Sequence, residues 1–259
     1  MNALHATVAC DPRRQRGFTF LEMAVVLVVA GVLSWASFSA FDTMNDLKDR
    51  NQAQALAQEM QSHLRTFTVR NGRLPCPDTS AGGTGYEALT GGACTAGVQS
   101  GWFPYTSLGM AVPTDNLRAR YAVFRATNAT AGLDADLAVA KERTGDPVDH
   151  INHLDVTDLM TALNNASALA ASSARPYLTG DAGVAGAINC TSNLVMNVAY
   201  WLVVPLKDRS GDNDRLDPPH TTTSLCALSP SAPIRVDSDD VALSESPAQL
   251  AGWLRKSLP

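Results

Sequence analysis

RRQRGFTFLEMAVVLVVAGVLSWASFSAF, residues 13–41, decides how the rest of this chain is read. From residue 18 to residue 41 it is almost wholly apolar, and at about 1.5 Å per residue a helix of that length crosses the roughly 30 Å hydrocarbon core of a bilayer. Arg13, Arg14 and Arg16 stand immediately before it. The positive-inside rule then places the N-terminus in the cytoplasm and everything after Phe41 on the far side of the membrane. A secretory signal peptide would have a shorter apolar region ending in a small-x-small cleavage site, whereas this run passes straight into a helical pattern. One carboxylate, Glu22, lies inside the run. A charge at a membrane helix centre costs about 2.5–3.5 kcal/mol unless it finds a partner, so a partner is expected.

The segment 13–22, RRQRGFTFLE, resembles the prepilin signal of type IV pilins and type II secretion pseudopilins. The resemblance implies cleavage between Gly17 and Phe18 by a membrane prepilin peptidase, N-methylation of Phe18, and docking of Glu22 near the amine of a neighbouring subunit. It also implies the partners: other pilin or pseudopilin subunits, the peptidase, the lipid bilayer and an inner-membrane assembly platform. Many major pilins carry a kinking proline in this helix; here the neighbourhood is Ser37, Phe38, Ser39, so a straighter helix is expected. The implied location is the inner membrane, single-pass, with the C-terminal domain periplasmic.

Composition sets outer limits. The chain has 259 residues, 45% of them hydrophobic, and a formal charge of −5, which suits one globular domain plus a membrane element. Removing a leader of residues 1–17, with its three Arg and one Asp, takes the charge to −7. An acidic exported domain has no electrostatic footprint for nucleic acid, so none is expected as a partner. Of the five cysteines, Cys10 falls in the leader; Cys76, Cys94, Cys190 and Cys226 form an even set that suits disulfides outside the cytoplasm, with four buried free thiols as the alternative.

Residues 42–71 have no proline or glycine and place Met44, Leu47, Leu56, Met60, Leu64 and Phe67 on roughly one helical face, so the helix continues beyond the bilayer. Gly72 supplies a stop, and Pro75 and Pro77 prevent resumption. The stretch 72–94, GRLPCPDTSAGGTGYEALTGGAC, is too rich in Gly and Pro for regular structure, and a Cys76–Cys94 bridge would staple it. Together with GWFPYTSLGM (101–110), Asp115 and ARYAVF (119–124), it looks like a subset of prepilin-type proteins with an LPCP loop. Residues 120–126 and 197–207 read as strands, and 156–171 as a helix capped by Asp155. Cys190 and Cys226 bracket the second strand and would tie its start to the loop that follows it. A short amphipathic helix follows Ser246-Pro247.

The expected fold is therefore α+β: a leader (1–17), a membrane and polymerisation helix (18–41), its periplasmic continuation (42–71), and a pilin-like domain (72–259). In that domain the long helix packs on an antiparallel sheet, with an inserted helix and disulfide-stapled loops. Asp208, Asp212, Asp214 and Asp217 crowd one loop with the hard oxygen ligands that calcium prefers, although Arg209 and Arg215 lie among them and the loop lacks a full calcium-binding register. His5, His63, His150, His153 and His220 form no catalytic motif with any nucleophile, and Cys76 reads as structural. A solvated turn is the favoured reading of the aspartate loop, with calcium as the alternative, and no enzymatic activity and no cofactor are expected. The expected function is a minor or tip subunit of a type IV pilus or type II secretion pseudopilus. The alternatives are a membrane-anchored periplasmic enzyme and a tip adhesin.

Overall fold

The computed structural model describes residues 19–114, 117–180, 188–209, 211, 216–220, 224–232 and 238–257, apart from the side chains of residues 39, 40 and 42. The chain divides into two compact units, residues 1–48 and 49–259. A single helix, α1 (Phe20–Asn71, 52 residues), runs from the first into the second. Thr19 and Glu22 form its N-terminal capping box: the Thr19 N–H donates to Glu22 Oε2 at 2.8 Å, and the Glu22 N–H to Thr19 Oγ1 at 3.3 Å. At the other end Gly72, at φ +59°, donates its N–H to Thr68 O, the left-handed stop that the sequence predicts. Among the described residues of 19–48 the large apolar side chains are exposed; Phe20 is 91% exposed and Trp35 74%.

The second unit is built on an antiparallel sheet of β3 (Ser100–Trp102), β4 (Arg120–Val123), β7 (Tyr200–Val204) and β9 (Val241–Glu245), in the order β3-β4-β7-β9. Side chains alternate across it with the two-residue period of a strand. Tyr121, Val123, Tyr200, Leu202, Val204 and Val241 join the core formed with α1, α2 (Val156–Ala168) and α3 (Pro247–Ser257). Ala122, Trp201 and Val203 face the other way, onto Leu178, Leu216 and Ala227. Both faces of β7 are thus buried, and the two polar side-chain groups of YWLVV, the Tyr200 hydroxyl and the Trp201 indole N–H, are both hydrogen-bonded.

The buried face of α1 is Ala53, Ala57, Met60, Leu64 and Thr68. This corrects the apolar stripe drawn from sequence. Met60 and Leu64 belong to it and Leu56 and Phe67 flank it, but Met44 and Leu47 are 66% and 56% exposed. Small alanines at 53 and 57 let the helix approach the sheet closely, and hydropathy alone gives them little weight. Thr68 is buried without penalty because its hydroxyl donates to Leu64 O at 2.7 Å.

A second, smaller sheet has the order β6-β5-β8, from β5 (Tyr177–Thr179), β6 (Met196–Asn197) and β8 (Cys226–Leu228). Its β5–β8 pair is parallel, an addition to the antiparallel expectation. The predicted strand 197–207 is therefore two elements: Asn197 ends β6 in one sheet, β7 begins at Tyr200 in the other, and Pro205 follows its last residue. A two-strand ribbon, β1 (Leu89–Thr90) with β2 (Ala93–Cys94), closes the loop after α1. Cys76 is bonded to Cys94 and Cys190 to Cys226, closing separations of 18 and 36 residues, worth roughly 3–4 kcal/mol each in the chain-entropy account. Cys226 opens β8 rather than lying in a loop, so the second bridge fastens a strand.

Two interior arginines are paired with carboxylates. Arg143 Nη2 meets Asp134 Oδ2 at 2.7 Å, and Arg125 Nη2 meets Asp136 Oδ2 at 2.9 Å. Burial pushes the Asp134 carboxyl up, but the Asn128 N–H and Arg143 together outweigh it and hold the group below the usual carboxylate range. α2 begins as predicted: Asp155 accepts the N–H groups of Thr157 and Asp158, and Asp158 returns the bond to Asp155 N–H.

Candidate functional site

Three regions hold the residues to which the sequence assigns a role. The first is the start of α1. Gly17 and Phe18 lie outside the described residues. Glu22 is exposed, and its Oε2 also accepts the Thr19 hydroxyl at 3.1 Å, so in the isolated chain it serves as its own helix's N-terminal cap. Behind it the helix is long and apolar enough to cross a membrane, and none of that apolar stretch is buried in the protein. Residues 12–38 match the prokaryotic N-terminal methylation motif.

The chain is pilin-like. Motif, exposed apolar helix and α+β domain with two disulfides agree with a pilin or pseudopilin type of subunit. No curated protein and no solved structure matches the chain.

The second region of this pilin-like chain is the LPCP loop. Pro75 offers its carbonyl to the Tyr121 hydroxyl at 3.0 Å, inside the core. Cys76 donates its N–H to Glu87 Oε1 at 2.7 Å, and Glu87 is paired with Arg73 at 2.6 Å. Asp78 then bridges to β3: its N–H donates to Trp102 O at 2.9 Å and its carbonyl accepts Trp102 N–H at 2.8 Å. A Cβ on Gly101 would meet the Asp78 carbonyl, so glycine is needed at this point of β3 for the residue after LPCP to approach it. The Asp78 carboxylate caps the following turn, taking the N–H groups of Ser80 and Gly85. Cys76 has no exposure and is disulfide-bonded, so it offers no nucleophile.

The third region is acidic. Of the four aspartates named from the sequence, Asp212 and Asp214 lie outside the described residues. Asp208 Oδ1 accepts the Gly211 N–H at 2.6 Å. Asp217 joins Asp239 and Asp240 instead, with one oxygen from each within 4.8 Å of the others. These two partners sit 22 and 23 residues further on, and no local spacing could have revealed them. Asp217 Oδ1 accepts Arg209 N–H and Oδ2 accepts Asp239 N–H; Asp239 takes Lys207 N–H and the Arg209 guanidinium; Asp240 Oδ2 takes Asp217 N–H.

His220 also lies here, buried, with Nδ1 at 2.7 Å from Asp240 Oδ2. This is two-thirds of a catalytic triad, but the Leu228 N–H occupies Nε2 at 3.0 Å, where a nucleophile would have to sit. The ring proton is therefore on Nδ1, and the pair ties β8 to the segment that leads into β9. His63 is likewise spent on the Leu108 carbonyl, and His153 on that of Asp146.

Burial pushes the Asp240 carboxyl up to about 6, against the attraction of His220. A folded-state value above the unfolded one of about 3.9 means that the folded protein binds this proton more tightly. The associated stability is complete below about pH 4 and is lost as pH rises through about 6. Asp240→Asn has no such loss. Its stability relative to the parent should grow by roughly 3 kcal/mol between pH 4 and 7 in urea denaturation, and a difference that is flat or shrinks with pH would contradict the assignment.

Proposed function

We propose that this chain is a minor or tip subunit that assembles through α1 into a type IV pilus or type II secretion pseudopilus, after cleavage between Gly17 and Phe18. The observation that carries the reading is the coincidence of the methylation motif at residues 12–38 with a helix whose large apolar residues from Phe20 to Leu47 are exposed. Lipid covers such a surface before assembly and neighbouring helices cover it afterwards, so a subunit can leave the bilayer without exposing it to water. Membrane insertion with the N-terminus cytoplasmic, handling by an inner-membrane platform, and a periplasmic domain follow from the same reading. The inserted α2 and the elaborated loops favour a minor subunit over a shaft protein. A structural role is favoured over catalysis because His63, His153, His220 and Cys76 are engaged in holding the fold.

Glu22 decides assembly in this reading, since its cap to Thr19 is local and can be exchanged for the amine of a neighbour. Glu22→Ala should leave membrane insertion and disulfide formation intact while lowering incorporation into sheared fibres at least tenfold. Equal incorporation would remove Glu22 from the assembly contact.

We infer that the cluster of Asp217, Asp239 and Asp240 is a hydrogen-bonded clasp and not a calcium site. Five of its six carboxylate oxygens already accept a hydrogen bond, and the Arg209 guanidinium lies 2.8 Å from Asp239. Calcium takes six to eight oxygens and gains nothing from a cation in the shell. Melting temperatures in EDTA and in millimolar calcium should agree to within about 2 °C; a rise of more than about 5 °C with calcium would restore the metal site.

A further inference from the structure

The two edges of the four-stranded sheet are treated differently. The outer edge of β3 is closed by the LPCP loop through the paired Asp78–Trp102 bonds. β9, at the opposite end, is hydrogen-bonded to β7 alone among the described strands. An open strand edge is a template for another chain, and folds usually guard it with proline, a bulge or outward charge. Among the described residues VALSE has no proline and no outward charge. Its one charge, Glu245, is turned inward onto Arg65 and the Tyr200 hydroxyl.

A cavity of about 470 Å³ runs along β9, touching four consecutive residues from Val241 to Ser244. One wall is α1, with Arg50, Gln54 and Gln58 at four-residue spacing on one helical face; the other is the end of β8 and the turn after it. Arg50 forms no ion pair among the described residues. Two buried polar atoms on residues lining this slot, Ser238 Oγ and Asp240 Oδ1, have no hydrogen-bond partner. Such atoms are costly to leave unsatisfied, so a hydrogen-bonding group brought to either would be stabilised there.

We propose that the slot accepts an extended segment of another protein chain as a fifth strand against β9. Backbone N–H and C=O groups of that segment pair with the open edge, an acidic side chain meets Arg50, and a hydrogen-bond donor meets Asp240. Four consecutive lining residues of one strand favour an extended polypeptide over a compact small molecule, because a strand matches their 3.4 Å spacing along the whole slot. All of these residues belong to the unit 49–259, so the proposal stands apart from the N-terminal motif and its failure would leave the subunit reading untouched.

The test uses the full chain in detergent micelles and a synthetic octapeptide of alternating valine and threonine with one terminal aspartate. Hydrogen exchange should show the outward amides of β9 exchanging freely in the isolated protein and at least tenfold more slowly with the peptide. N-methylation of alternate peptide nitrogens should weaken binding at least tenfold. Arg50→Glu should do the same for the aspartate peptide while improving binding of its lysine counterpart, with circular dichroism unchanged. Protection of β9 in the isolated protein, binding indifferent to N-methylation, or no slowing at millimolar peptide would each overturn the proposal.

Discussion

Apolar helical surface must be covered by something other than water, and among the described residues nothing covers the first half of α1. From Phe20 to Phe41 the side chains that would form a core elsewhere stand exposed, while from Ala53 to Thr68 the same helix buries a narrow face against the four-stranded sheet. Each fully buried Met or Leu on that face contributes about 1.5–3 kcal/mol, so the second half is fixed to the domain and the first is left for lipid or for other helices. Because one helix carries both halves, whatever takes hold of the first also carries the domain.

The rest of the second unit is arranged to keep its loops in place without much regular structure. The LPCP loop is held at four points: the disulfide, Glu87 with Arg73, the Tyr121 hydroxyl and the Asp78 bridge to β3. Further along, Asp134 and Asp136 anchor Arg143 and Arg125 in the interior, and removing one partner of such a buried pair typically costs 3–5 kcal/mol. Asp217, Asp239, Asp240 and His220 repeat the device for the segments around β8 and β9. Carboxylates bonded to backbone N–H groups replace the ladder bonds that Gly- and Pro-rich loops cannot make.

Much of this was legible in the sequence because the signals were local. The long apolar helix, its stop at Gly72, the N-cap at Asp155 and the helix after Ser246 all depend on residues within a few positions of one another. The breaks in the reading came where tertiary partners decide. Met44 and Leu47 are as apolar as Met60 and Leu64, yet only the latter pair meets the sheet. NVAYWLVVPLK looks like one strand, but Asn197 and Tyr200 pair into different sheets through partners far away in the chain. The acidic cluster drew on Asp239 and Asp240, more than twenty residues beyond the loop that seemed to form it.

The most direct test of the account is the intact mass and N-terminal sequence of the protein taken from its native membrane without reductant. A chain that begins at N-methylated Phe18 and is four hydrogens lighter than its fully reduced form is the predicted result. A chain that begins at Met1, or one cut near Phe41, would contradict it, because the apolar helix would then be an unprocessed anchor or a discarded signal.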